Sequence, residues 1–233
     1  MQCRNGWITR RLSPLLVLGA VVLIAAGCAP PRRVTIFSSP DLEKVKLERI
    51  GVMPFLRGTQ PGNLEETLDC KVCRLTYRPG QLIAGAEQTL TRYTQEALED
   101  RFGEKVVNRV LMMSAYETLE VDQSRDTPRQ LARRLGRTVD ANLMILGTVW
   151  RYRERVGSAA GVSVPASVAF DLYLIDVASG TMLWTGNFDE TQQSLSYNIL
   201  DVGTFFKRGV RWLTVNQLGR YGVQELVKEL PLS

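Results

Sequence analysis

Between Leu143 and Asp189 the chain reads as three strands in succession, and this run limits the possible folds more than any other stretch. Leu143 to Arg155 begins apolar and then alternates, the period-2 pattern of a strand buried at one end and half-buried at the other, with Trp150 and Tyr152 expected on one face and Arg151, Arg153 and Arg155 on the other. Ser167–Val177 and Thr181–Asp189 follow as two more strands, and Ala178-Ser179-Gly180 between them makes a hairpin turn. A chain with this centre builds a sheet and needs other elements to cover it.

The covering elements flank the run. Ile83, Ala86, Leu90, Tyr93, Ala97 and Leu98 recur at helical spacing, with Glu87, Arg92, Glu96 and Asp100 mostly off the stripe, so a helix is predicted that ends near Gly103. Thr127-Pro128-Arg129-Gln130 is a helix start, with Thr at the N-cap, Pro at the first helical position and Gln three after the cap. That helix is expected to run to Leu135, with Gly136 as its stop. Thr214-Val215-Asn216-Gln217 repeats the cap and opens a terminal helix through about Glu229, burying Leu218, Val223, Leu226, Val227 and Leu230. Arg49–Phe55 reads as a first short strand, Val106–Leu111 as a second, and Ser114–Val121 as a short helix. The predicted fold class is α/β (α+β): a two-layer sandwich with a mixed β-sheet and helices packed mainly on one face.

The amino terminus carries a different message. Arg4, Arg10 and Arg11 precede a 12-residue apolar run from Leu15 to Ala26, well short of the roughly 20 residues a bilayer-spanning helix needs. A positive start, a short apolar core and small residues at its end make a secretory signal. Ala26, Gly27 and Cys28, with Ala25 where Leu is more usual, resemble the lipobox of bacterial lipoproteins, whose cysteine is acylated and becomes the mature first residue. The resemblance implies lipid on Cys28 and, with Ala29 rather than Asp after it, the outer membrane, facing the periplasm. The expected organisation is a signal peptide over 1–27, an extended proline-bearing tether over 28–45, and one periplasmic domain over 46–233 with a long cysteine-containing loop at about 57–82.

Removing residues 1–27 of 233 leaves 206, and three of the 29 Lys and Arg leave with them. Against 24 Asp and Glu the net charge falls from +5 to +2. So small an excess is no electrostatic footprint for nucleic acid. There is no histidine, which removes the usual general base and the commonest neutral metal ligand. No catalytic set, metal site or cofactor is expected.

The run Asp140-Ala141-Asn142-Leu143-Met144-Ile145-Leu146-Gly147-Thr148-Val149, with Ala178-Ser179-Gly180-Thr181-Met182-Leu183-Trp184 downstream, resembles a loose group of envelope lipoproteins. It includes the curli-secretion lipoprotein, the TolB-type amino-terminal domain and the lipoprotein activators of penicillin-binding proteins. The likeness covers most of residues 46–230 in element order and implies an envelope protein that works by binding other proteins, sometimes in rings. Its motifs are structural, so they speak to fold more than to function.

Three constellations remain. Cys70-Lys71-Val72-Cys73 reads as a structural disulfide in an oxidising compartment, with a redox-active pair as the alternative. Closing so short a ring stabilises by only about 2 kcal/mol. Zinc would need four ligands, and Cys3 leaves with the signal while Cys28 carries lipid. Arg151, Arg153 and Arg155 along one strand face are candidates for an acidic partner or lipid head groups, or else pair with Asp171 on the next strand. Phe205-Phe206-Lys207-Arg208 with Arg211-Trp212 mixes aromatic and basic residues, as either an interfacial membrane contact or core packing would, so Lys207, Arg208 and Trp212 are the second candidate contact. The expected function is a lipid-anchored binding protein, not an enzyme, that assists envelope assembly or secretion. A thiol-active envelope protein using Cys70 and Cys73 and a ring-forming secretion component built from several copies are the alternatives.

Overall fold

The computed structural model describes residues 34–58, 68–70, 72, 76–77, 80–119, 126–192 and 211–232. Its sheet is the predicted mixed one. Strands β1 (Val34–Ser38), β2 (Ile50–Val52) and β3 (Leu56–Arg57) come first. A small hairpin, β4 (Leu68–Asp69) and β5 (Thr76–Tyr77), follows. After helices α1 (Ala86–Phe102), α2 (Arg109–Thr118) and α3 (Pro128–Thr138) comes β6 (Leu143–Arg153). A second small hairpin, β7 (Val156–Gly157) and β8 (Val162–Val164), leads to β9 (Ser167–Asp176), β10 (Met182–Thr191) and α4 (Val215–Lys228). The main sheet has the order β1-β10-β9-β6-β2, with β3 also on β6. The β2 and β3 pairings with β6 are parallel and the rest are antiparallel.

Helices α1 and α4 form a layer on one face. Their apolar stripes, Leu90 and Leu98 from α1 with Leu218, Val223 and Leu226 from α4, are wholly buried against Phe170, Leu172 and Phe188 of the strands. Phe55, Phe170, Phe188 and Tyr221 follow one another at ring-centroid distances of 6.1, 5.5 and 6.3 Å, within the favourable range for tilted aromatic pairs. At the solvent edge Arg220 of α4 lies 4.3 Å over the Tyr93 ring of α1 and bonds Glu96 at 2.8 Å.

The opposite face holds a second core, and α3 covers one end of it with Leu131, Ala132 and Leu135 against Met144 and Ile175. The predicted capping box at Thr127 and Gln130 forms, as does that at Thr214 and Gln217. Gly136 does not stop α3. It lies inside the helix, where a Cβ would come 2.5 Å from Val177 Cγ2, so the glycine permits close approach to the sheet. The helix ends instead at Val139, and Asp140 takes a left-handed φ of 56°, a conformation that Asp tolerates better than most residues.

Three further expectations change. Val34–Ser38, expected within the tether, is extended but is hydrogen-bonded along β10 as an edge strand. Val106–Leu111 is not a strand. Only Val106 bridges Ile50, and α2 starts after Asn108, whose side chain accepts from Val110 N and caps the helix. Trp150 and Tyr152, expected on one face, are on opposite faces, because a bulge between Val149 and Arg151 shifts the register with β9.

Candidate functional site

Asp171 stands in the middle of β9, flanked by Phe170 and Leu172, and is fully buried. A carboxylate removed from water needs donors around it. Trp150 Nε1 donates to Oδ2 at 2.8 Å, Tyr173 Oη donates to the same oxygen at 2.7 Å, and Asn187 Nδ2 donates to Oδ1 at 2.6 Å. These residues come from three neighbouring strands, and the sheet register sets Thr148, Asp171, Asn187 and Thr35 side by side. The row runs from the buried sheet centre to the exposed edge.

The cysteine-containing segment is seated on this cluster. Cys70 and Val72 are buried in the second core, and Cys70 Sγ lies 3.3 Å from Tyr173 Oη. Arg129 of α3 donates to the Val72 carbonyl and ties the segment to the helix. Cys73 lies outside the described residues. Asp171, Trp150, Tyr173 and Cys70 thus form one contiguous unit, and its polar groups face one another.

The predicted arginine row is dispersed among internal partners. Arg151 Nε donates to Ser167 Oγ at 2.6 Å, and its other nitrogen pairs with Asp189. Arg153 donates to the Pro165 carbonyl at 3.4 Å, and Arg155 to the Trp212 carbonyl. The expected pairing with Asp171 is therefore replaced by Asp189, since Asp171 points into the second core and is occupied there by Trp150, Tyr173 and Asn187. Trp212 is half-buried, with its backbone nitrogen donating to Ala159. Lys207 and Arg208 lie outside the described residues, as does Cys28.

The turn singled out by resemblance, Asp140-Ala141-Asn142, is a clamp. Asn142 Oδ1 accepts from Glu48 N at 3.2 Å and Arg49 N at 2.9 Å, and its Nδ2 donates to Lys46 O at 2.7 Å. It fixes the approach to β2 and does no chemistry. On the other face Tyr152 Oη donates to Asn216 Oδ1 at 2.9 Å, and burial pushes its phenol pKa up, keeping the hydroxyl a neutral donor.

Large apolar side chains are exposed at three places on the described surface: Phe37 and Ile36 on β1, Val110 and Leu111 at the start of α2, and Val156 on β7. Asn187 and Tyr173 had no place among the expected site residues, and Trp150 was expected only as part of the strand's apolar face. Their signal is Asp171 itself, a lone acid inside an apolar strand, which has to find donors.

No protein-family model and no curated protein matches the sequence. Among solved structures the chain is similar to the PelC dodecamer from Paraburkholderia phytofirmans, with a TM-score of 0.49 at 13% identity over 86% of this chain and 97% of that one. It is also similar to the lipoprotein GNA1162 from Neisseria meningitidis, at 0.41 and 15% over 70% and 98%. The LpoB C-terminal domain from Salmonella enterica gives 0.37 and 15% over 66% and 94%. These neighbours fall in the lipoprotein group anticipated from the sequence. At such identities and scores the likenesses carry no inference about function.

Proposed function

We propose that this chain is a lipid-anchored protein of the bacterial cell envelope whose periplasmic α/β domain binds protein partners and assists assembly or secretion, and that it is not an enzyme. The observation that carries the reading is the export segment ending at Ala25-Ala26-Gly27-Cys28, with a folded α/β domain behind it. Acylated Cys28 holds the domain at the membrane, and the outer membrane is the proposed site. Exposed apolar side chains at Val110, Leu111 and Val156 supply the sort of surface a partner covers. The cysteine motif has a structural part in this proposal: Cys70 pairs with Cys73 and seats the loop on the second core. Its support is that Cys70 is not a free thiol.

Two measurements test the reading. Cys28→Ser should move the protein from the membrane fraction to the soluble periplasmic fraction, and retention in the membrane would refute lipid anchoring. Crosslinking in intact cells, followed by mass spectrometry, should recover envelope proteins as reproducible neighbours. Recovery of none under several growth conditions would refute partner binding.

A further inference from the structure

We propose that strand β1 is the surface by which the domain rests on the membrane, edge-on, with Phe37 and Ile36 in the lipid headgroup layer. The inference rests on the reading above that Cys28 carries the lipid, and it adds which part of the domain meets the bilayer.

Reach comes first. Among the described residues the first strand begins at Val34, not after a tether ending at residue 45. Cys28 and Val34 are six residues apart, and six extended residues span at most about 20 Å. A folded unit of about 200 residues has a radius of gyration of about 16 Å. The tether is therefore shorter than the domain is wide. A domain held on so short a strap keeps the side on which the strap enters toward the lipid. That side is β1.

The chemistry of β1 agrees with that placement. It is an end strand of the main sheet, and among the described residues no strand pairs with its outer edge. Water-facing edge strands are commonly guarded by charge, proline or a bulge. Val-Thr-Ile-Phe-Ser has no charged residue and no proline, and its register with β10 is regular. Side chains alternate along a strand. Val34 packs on the helix-covered core and Ile36 shares its side, whereas Phe37 and Thr35 share the other. Yet Ile36 is 37% exposed and Phe37 is 60% exposed. Only an edge-on approach brings apolar groups from both faces of one strand against one surface. Depth is limited by the backbone, because hydrocarbon offers no partner to the outward N–H and C=O groups, whereas the headgroup layer and its water do.

The test uses the full-length processed lipoprotein in vesicles of phosphatidylethanolamine and phosphatidylglycerol. A Phe37→Cys variant carries an environment-sensitive fluorophore, and the unsubstituted protein serves as the labelling control. The label should shift to the blue and be quenched by nitroxide-bearing lipids, while the same label placed by Ser158→Cys stays aqueous. Inserting 20 Gly and Ser residues after Ala29 should reduce quenching at position 37 by roughly ninefold, following the −3/2 power of tether length. A label at 37 that stays aqueous on vesicle-bound protein overturns the proposal and leaves the lipoprotein reading standing. A blue-shifted label that lipid nitroxides do not quench and that dilution returns to water also overturns it, since a second copy then covers the edge. Wild-type protein that fails to float with the vesicles instead removes the premise that Cys28 is lipidated.

Discussion

On the face covered by α1 and α4, Phe170 and Phe188 pack ring against ring, with Leu226 in the same core. One residue along the same strands, on the other face, Asp171 and Asn187 are joined by a hydrogen bond and tied to Trp150 and Tyr173. The first face is held by non-directional burial, which tolerates rearrangement as long as volume is kept. The second depends on donors and an acceptor meeting at set distances, and a missing member leaves the others unsatisfied in a dry site. Strength and specificity are therefore separated across one sheet. The second face also carries Cys70 and Val72, so their seating rests on the polar cluster.

Substitutions on the two faces should differ in kind as well as size. Phe170→Ala removes a ring at the centre of the first face and should cost about 4 kcal/mol, read as a lowered midpoint in urea. Asp171→Ala removes the shared acceptor and should cost about 2–3 kcal/mol. It should also loosen the segment at Cys70, measured as a larger gain in amide exchange rate there than elsewhere in the domain. If Phe170→Ala costs less than Asp171→Ala, the division between the faces is misassigned. The smallest effect concerns Tyr152, whose raised pKa means that the fold keeps the phenol neutral where the unfolded chain, with an ordinary value of 10.0, ionises it. Its contribution is fully present below pH 10 and is lost as pH rises through the folded value. Tyr152→Phe should flatten the alkaline loss of stability seen in urea melts at increasing pH. An unchanged slope would show that the phenol titrates alike in both states.

Much of the helical cover on both faces was legible in the sequence. The stripe Leu90, Tyr93, Leu98 and the capping boxes at Thr127 and Thr214 depend on spacings of three and four residues, so they are visible locally. The start of α2 was not. Val106 to Leu111 is apolar enough for a strand, and what decides otherwise is the Asn108 cap together with the exposure of Val110 and Leu111. Gly136 read as a stop because a helix-ending glycine and a close-packing glycine look the same until Val177 is known to lie against it.

The sequence by itself determined the three-strand centre, the helices that cover it, and the amino-terminal segment ending at Cys28, because each is a pattern among near neighbours in the chain. Only the tertiary structure decided which side chains meet. The bulge after Val149 sends Trp150 and Tyr152 to opposite faces, Asp171 finds Trp150 21 residues away and Asn187 16 residues away, and Val34–Ser38 joins the sheet at β10. These outcomes depend on register and on pairing between distant strands, and no local period encodes either.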